Sequence, residues 1–271
     1  MSTESVNLRT SNISEVSTEQ MLYMINAEDA LVADIVKENI PQIAKLVELG
    51  AETIKNGGRI IYCGAGTSGR LAVADAAECP PTYGVDKNCI KAVIAGGVSA
   101  MIDASEGCED DVERGAKAFD ETGAKAGDLA IGISAAGRAP FVCAFMKRAK
   151  EKGLKVAAIV NNENTLMSQI ADITIMALTG AEAIKGSTRM KAGTSQKMIL
   201  NMFSTAVMIR LGNTYKNFMV NMQPTNEKLR KRAVSMLVEI LSIEEEKAKE
   251  LLIENKWSIK ESIKQFYSNN K

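Results

Sequence analysis

Five short, largely apolar runs, most of them separated by a helix-compatible stretch, constrain this chain more than any other feature. They are RIIYC (59–63), IKAVIA (90–95), LAIGI (129–133), VAAIV (156–160) and ITIM (173–176). None alternates apolar with polar residues, as a strand with one wet face would, so each reads as a strand covered on both sides. Helical segments fall at about 110–121, 140–152 and 165–170. Strands alternating with helices imply a parallel sheet. Five of them fit one α/β domain with a doubly wound five-stranded parallel sheet.

The flanks read as helical. Residues 1–16 form a polar arm, and Ser17-Thr18-Glu19-Gln20 is a capping box opening a helix to about residue 27. A second helix runs to about 39. A third begins at Pro41, which suits a first helical turn, and ends near Asn56-Gly57-Gly58. Beyond Met176 the strand pattern stops. Residues 190–211 contain no proline and form one long helix, followed by helices at about 223–241, 243–255 and 258–267. The expected organisation is an N-terminal helical extension (1–56), the α/β domain (57–222) and a C-terminal helical region (223–271).

Composition removes several functions. Lys plus Arg and Asp plus Glu are both 33, so the basic excess of a nucleic-acid binder is missing. No apolar run approaches the ~18 residues of a membrane span, and the polar N-terminus lacks a signal sequence. The five cysteines are odd in number and show no C-x-x-C spacing. That argues against disulfides and zinc and for a reducing cytoplasm. There is no histidine. Any acid–base chemistry must use Glu, Asp, Lys, Tyr or Cys, and a His-dependent triad is excluded.

Three segments offer groups to an anion. GAGTSGR (64–70) joins the first strand to a helix, where Gly66, Thr67, Ser68 and Gly69 combine a close backbone approach, hydroxyls and a helix N-terminus. It is neither a dinucleotide fingerprint nor a P-loop, so a lone phosphate fits better than a nucleotide. SAAGR (134–138) follows the third strand, with Ser134, Gly137 and Arg138. GSTRMKAGT (186–194) opens the long helix and supplies Ser187, Thr188, Arg189 and Lys191. The ordinary alternatives are tight strand–helix turns and a solvated helix cap. Two glutamates stand near these segments. Glu78 precedes Cys79-Pro80-Pro81, where the double proline is expected to end its helix. Glu109 lies in SEGCEDD (105–111), near a helix start. Single glutamates are mostly solvated surface groups, and spacing alone gives neither a catalytic role.

GGRIIYCGAGTSGRLAVADAAECPPTYG (57–84) closely resembles the first signature of the N-acetylmuramic acid 6-phosphate etherases. GAEAIKGSTRMKAGTSQKMILNMFST (180–205) resembles the signature these enzymes share with glucokinase regulatory proteins. The resemblance runs from about Thr18 to Lys231. It implies a sugar isomerase domain and cleavage of the D-lactyl ether of N-acetylmuramic acid 6-phosphate. It further implies a cytoplasmic homodimer with no metal or organic cofactor, and it puts the two catalytic glutamates at Glu78 and Glu109, with Glu78 the proton donor. One departure concerns the second loop, which commonly reads SGRT in the family and here reads AGRA, with Ala136 and Ala139. The C-terminal helical region is also short compared with many members.

Two further readings are open: a non-enzymatic sugar-phosphate regulator and an aldose–ketose isomerase on the same fold. The homodimer is also expected from the long helix. Met198, Ile199, Leu200, Met202, Phe203, Val207, Met208 and Ile209 extend around more than one of its faces.

Overall fold

The computed structural model describes residues 2–103 and 107–269. Ser105 and Glu106 of the SEGCEDD run lie outside the described residues. The helices α1 (Thr18–Asp29), α2 (Val32–Glu38) and α3 (Ile40–Lys55) lead into strand β1 (Ile60–Gly64). The capping box forms: Ser17 Oγ accepts the Gln20 N–H at 3.3 Å, and Gln20 Oε1 accepts the Ser17 N–H at 3.1 Å. Then follow α4 (Gly66–Tyr83), β2 (Ile90–Ile94), α5 (Val112–Glu121), β3 (Leu129–Ser134), α6 (Pro140–Glu151), β4 (Lys155–Val160), α7 (Leu166–Ile170), β5 (Ile173–Met176) and α8 (Lys191–Arg210).

All strand pairings are parallel, and the order is β2-β1-β3-β4-β5. Every residue of β1 and β3 is buried, which is why their sequences are continuously apolar. Ile61 and Cys63 turn to a core containing Ala130, Val156, Phe119, Phe141 and Phe145, with Phe119 and Phe145 edge to face at 5.3 Å. Tyr62 points the other way and meets Phe203 of α8 at 6.3 Å. A Cβ on Gly50 of α3 would lie 2.8 Å from the Phe203 ring, so a glycine lets α3 and α8 close on each other.

One expectation is corrected. Pro80 and Pro81 do not end α4 but lie inside it. Proline removes an N–H and crowds the preceding turn, so its cost is lowest where few hydrogen bonds remain to be broken. The helix stops a turn later at Gly84, in the left-handed region at φ 63°, whose N–H bonds the Pro80 carbonyl at 2.9 Å.

The chain forms two compact units. The first holds residues 2–77 and 88–207, with the whole sheet. The second holds residues 78–87 and 208–269. In the second, α9 (Glu227–Leu241), α10 (Glu245–Glu254) and α11 (Ile259–Asn269) pack around Leu237, Ala248, Leu252 and Ile259. Asn226 caps α9 by accepting the Leu229 N–H at 2.9 Å, and Arg230 lies 4.9 Å over the Trp257 ring.

Candidate functional site

Gly64 pairs with Ile133 across β1 and β3, so the chain leaves both strands at nearly the same height. GAGTSGR departs from one and SAAGR from the other. The sheet grows away from this pair in opposite directions, β2 beyond β1 and β4 beyond β3. Such a switch point leaves a crevice at the carboxyl ends of an open α/β sheet, where ligands of this architecture bind.

In the first loop the glycines divide the work. A Cβ on Gly64 would lie 2.7 Å from the Gly69 nitrogen, and one on Gly69 would lie 2.6 Å from Ile94. These two let the helix close onto the strands. Gly66 is different: its φ is +52° and nothing lies within 4 Å of a Cβ built there. The Gly69 N–H bonds the Ala65 carbonyl at 3.2 Å, leaving the N–H groups of Gly66, Thr67 and Ser68 ahead of the first intrahelical bond. They sit at the positive end of an eighteen-residue helix, an arrangement that accepts an anion.

The Ser68 hydroxyl is placed differently from its expected role as a donor to phosphate. Ser68 is only 8 % exposed, and its Oγ–H donates to Gln196 Oε1 at 2.8 Å. Gln196 Nε2 donates to Asn161 Oδ1 at 2.9 Å. Asn161 Nδ2 donates to the Ala177 carbonyl at 2.8 Å and to Ser195 Oγ at 2.7 Å. A backbone carbonyl can only accept, so Ala177 fixes the Asn161 amide, which fixes Gln196, which fixes Ser68. Ser195 completes the set by donating to the Ala192 carbonyl at 2.7 Å. The Ser68 proton is therefore held inside the protein, and its oxygen is left as an acceptor.

In the second loop Ser134 is buried and its Oγ accepts the Gly137 N–H at 3.1 Å. Gly137 has φ +65°, and a Cβ on it would lie 2.5 Å from Thr165. Both residues shape the loop. Arg138 is exposed. Ala139 precedes α6 without a side-chain cap, and Pro140 at the first turn has no N–H to offer. The 3₁₀ turn Cys108–Asp110, carrying Glu109, packs against α6. Glu109 itself is exposed.

The third segment is rearranged relative to expectation. Lys191 is 1 % exposed, and its ammonium is paired with Glu28 Oε2 at 2.5 Å. Its charge is met within the fold rather than presented to a ligand. Arg9 meets the same carboxylate through Nε at 2.5 Å and Nη2 at 2.9 Å. The Arg9 hydrogen bonds hold the Glu28 carboxyl down at about 2, against the upward push of burial, with Lys191 adding to the pull. The α8 N-terminus is occupied too. Glu182, fully buried, accepts the Lys191 N–H at 2.9 Å and the Ala192 N–H at 3.0 Å. Burial pushes Glu182 up and the two N–H bonds pull it down. Ser187 and Thr188 are half-buried, and Arg189 is exposed. The segment still adjoins the first loop: a Cβ on Gly193 would lie 3.4 Å from Thr67 and 3.6 Å from the Thr188 carbonyl.

Glu78 lies on α4, exposed, at the start of the second unit's share of that helix. Glu28, Asn161, Glu182 and Gln196 go unnoticed in the sequence, because each acquires its meaning from a partner distant in the chain. The only hint is their type, amides and carboxylates inside or beside apolar segments.

Two family models match the chain: the glucokinase regulatory protein N-terminal SIS domain over residues 42–150 and the SIS domain over residues 113–206. The chain is 47 % identical over 252 residues to an N-acetylmuramic acid 6-phosphate etherase of Clostridium acetobutylicum, covering 93 % of this chain and 83 % of that one. It is 48 % identical over 250 residues to one of Thermobifida fusca, covering 92 % and 82 %. A solved phosphoheptose isomerase from Neisseria gonorrhoeae superposes with a TM-score of 0.54 at 19 % identity, over 70 % of this chain and 98 % of that one. At that identity the likeness speaks to the fold alone.

Proposed function

The chain belongs to the N-acetylmuramic acid 6-phosphate etherases, and on that premise we propose that it cleaves the D-lactyl ether of N-acetylmuramic acid 6-phosphate with water. The products are N-acetylglucosamine 6-phosphate and D-lactate, as amino-sugar recycling from the cell wall requires. The observation that carries this reading is identity of 47 % and 48 % with etherases over more than nine-tenths of the chain. The two loops at the switch point of the sheet support sugar-phosphate binding.

The chemistry needs two carboxyl groups and no cofactor. The ring-opened sugar has an aldehyde at C1, which acidifies the proton on C2. Glu109, as general base, takes that proton. Glu78, as general acid, protonates the lactyl oxygen while the C3–O bond breaks and D-lactate departs. Water then adds at C3 of the unsaturated aldehyde, and C2 regains a proton. Paired acid and base of this kind serve where histidine is missing.

The phosphate is assigned to the N–H groups of Gly66, Thr67 and Ser68, the Thr67 hydroxyl and Arg138. Gly69, Ser134 and Gly137 give the loops their shape, and Ser187, Thr188 and Arg189 border them. Lys191 acts through Glu28 on the start of α8. The reading includes a homodimer acting in the cytoplasm, since Met202 and Ile209 of α8 keep 37 % and 51 % exposure within one chain. Among the described residues no helix is long and apolar enough to cross a membrane. The balanced charge gives no footing to a nucleic-acid partner.

The match to the glucokinase regulatory protein domain favours, as a second reading, a sensor that binds a sugar phosphate without turnover. Incubation with N-acetylmuramic acid 6-phosphate and an assay for D-lactate separates them. Release of lactate is expected. Binding without release supports the sensor, and interconversion of hexose 6-phosphates supports an isomerase.

A further inference from the structure

The N-terminal arm is tied down at the carboxyl ends of β4 and β5, by the loop after β4 at Thr3 and by the segment after β5 at Asn7 and Thr10. Thr3 has no exposed surface. Its N–H donates to Asn162 Oδ1 at 3.0 Å, and its Oγ1 accepts from Asn162 Nδ2 at 2.8 Å. The same Nδ2 donates to the Ala135 carbonyl at 2.9 Å, so one amide after β4 ties the arm to the loop after β3. Asn7 then donates to the Ala181 carbonyl at 3.3 Å and Thr10 to the Ala183 carbonyl at 2.8 Å, both beyond β5. Arg9 is fixed to Glu28 as described above.

This course closes one side of a pocket of about 480 Å³, lined by Ser2 and Glu4 from the arm, Arg138 from the loop after β3, and Asn162 and Glu163 after β4. The volume lies within the range of small-molecule sites, roughly 300–1,000 Å³. Glu4 Oε2 also comes within 3.9 Å of the position a side chain on Gly186 would take, which puts it beside the GSTRMKAGT segment. Among the described residues, the charged ends of Glu4, Arg138 and Glu163 make no ion pair or hydrogen bond within the protein. Three unspent charges around one cavity, one of them on a segment anchored by buried hydrogen bonds, are arranged for a ligand bearing both an anionic group and hydrogen-bond donors.

We infer that residues 2–10 form a wall of the substrate site and that Glu4 is a substrate-binding carboxylate, accepting a hydrogen bond from a sugar hydroxyl or amide N–H while Arg138 takes the anionic end. The inference rests on the sugar-phosphate reading above and adds to it a binding group from the N-terminal arm, ahead of the first strand. Glu4 takes no part in the proton transfers, so its loss acts on binding.

The test is Glu4→Ala, Glu4→Gln and Thr3→Val, with KM and kcat measured on N-acetylmuramic acid 6-phosphate and affinity for N-acetylglucosamine 6-phosphate measured by calorimetry. Glu4→Ala is expected to raise KM and weaken the calorimetric affinity by about tenfold or more, the loss of one charge-assisted hydrogen bond, with kcat within about twofold. Glu4→Gln, which keeps an acceptor, is expected to recover part of it. Thr3→Val, which releases the arm, is expected to weaken both by a similar factor. The Glu4 side chain is exposed, so the melting temperature of its variants should not move. Affinity and KM within about twofold of wild type in Glu4→Ala overturn the inference. Because calorimetry needs no turnover, a wild type that binds the sugar phosphate but releases no lactate would defeat the etherase reading while leaving this one to be judged on affinity.

Discussion

Glu28 and Lys191, separated by most of the sheet domain in sequence, meet at 2.5 Å with almost no solvent at either side chain. The pair joins α1 to the first residue of α8, and Arg9 extends it to the N-terminal arm. Removing one partner of a buried pair leaves an uncompensated charge, at a cost of about 3–5 kcal/mol. Glu28→Gln should destabilise the protein by that order. The pH dependence follows from the direction of the shift. Glu28 is held at about 2, below its ordinary 4.5. Its contribution is therefore complete above the ordinary range and fades as the pH falls toward 2. Melting curves of wild type and Glu28→Gln should lie far apart near neutrality and converge in acid. A gap that stays constant down to pH 2 would contradict the assignment.

The one-way chain from the Ala177 carbonyl to Ser68 makes a different kind of prediction. Phosphate oxygens accept hydrogen bonds, and the Ser68 oxygen has only lone pairs to offer. Ser68→Ala should leave inhibition by inorganic phosphate within about twofold, while any rise in KM for the sugar phosphate stays below about tenfold, the scale of one neutral hydrogen bond. Removing the phosphate from the substrate should be far more damaging than removing Ser68. Phosphate inhibition weakened tenfold in Ser68→Ala would show that its proton does reach the anion.

Glu78→Gln and Glu109→Gln should each lower turnover by about 10²–10⁴-fold, the usual scale of general acid–base catalysis. Both side chains are exposed, so melting temperatures should hold. Either variant retaining more than half of the normal rate removes that residue from the mechanism.

Much of this was legible beforehand, for reasons that can be named. Ile60–Gly64 and Leu129–Ser134 announce themselves because both faces of each strand are covered, and Ser17 with Gln20 caps α1 through purely local bonds. Local rules fail where a distant partner decides. Lys191 reads as a phosphate ligand until Glu28 is placed against it. The Ser68 hydroxyl reads as a free donor until Gln196 takes its proton. The double proline reads as a helix end because sequence does not reveal that Gly84 closes the helix one turn later. Ala136 and Ala139 bring no hydroxyl to the second loop and the Ser134 hydroxyl is buried in the loop's own turn, so the exposed Arg138 is what remains there for an anion.

The quaternary expectation rests on α8. Ile199, Leu200, Phe203, Val207 and Met208 are buried within one chain, whereas Met202 and Ile209 are not. Sedimentation at micromolar concentration should give twice the 29.2 kDa of a single chain, and Met202→Lys should shift the protein toward monomer. A fully active species of 29.2 kDa would show that the second copy is not needed.

The central claim is that the ether is broken on the sugar side, by elimination at C2–C3 followed by addition of water at C3. Turnover of N-acetylmuramic acid 6-phosphate in ¹⁸O-labelled water, with both products weighed by mass spectrometry, addresses it directly. The account requires the heavy oxygen at C3 of N-acetylglucosamine 6-phosphate, located by fragmentation apart from the exchangeable C1 oxygen, and unlabelled D-lactate. Heavy oxygen incorporated from water into the newly formed hydroxyl of lactate, with C3 of the sugar unlabelled, or no lactate at all, would contradict it.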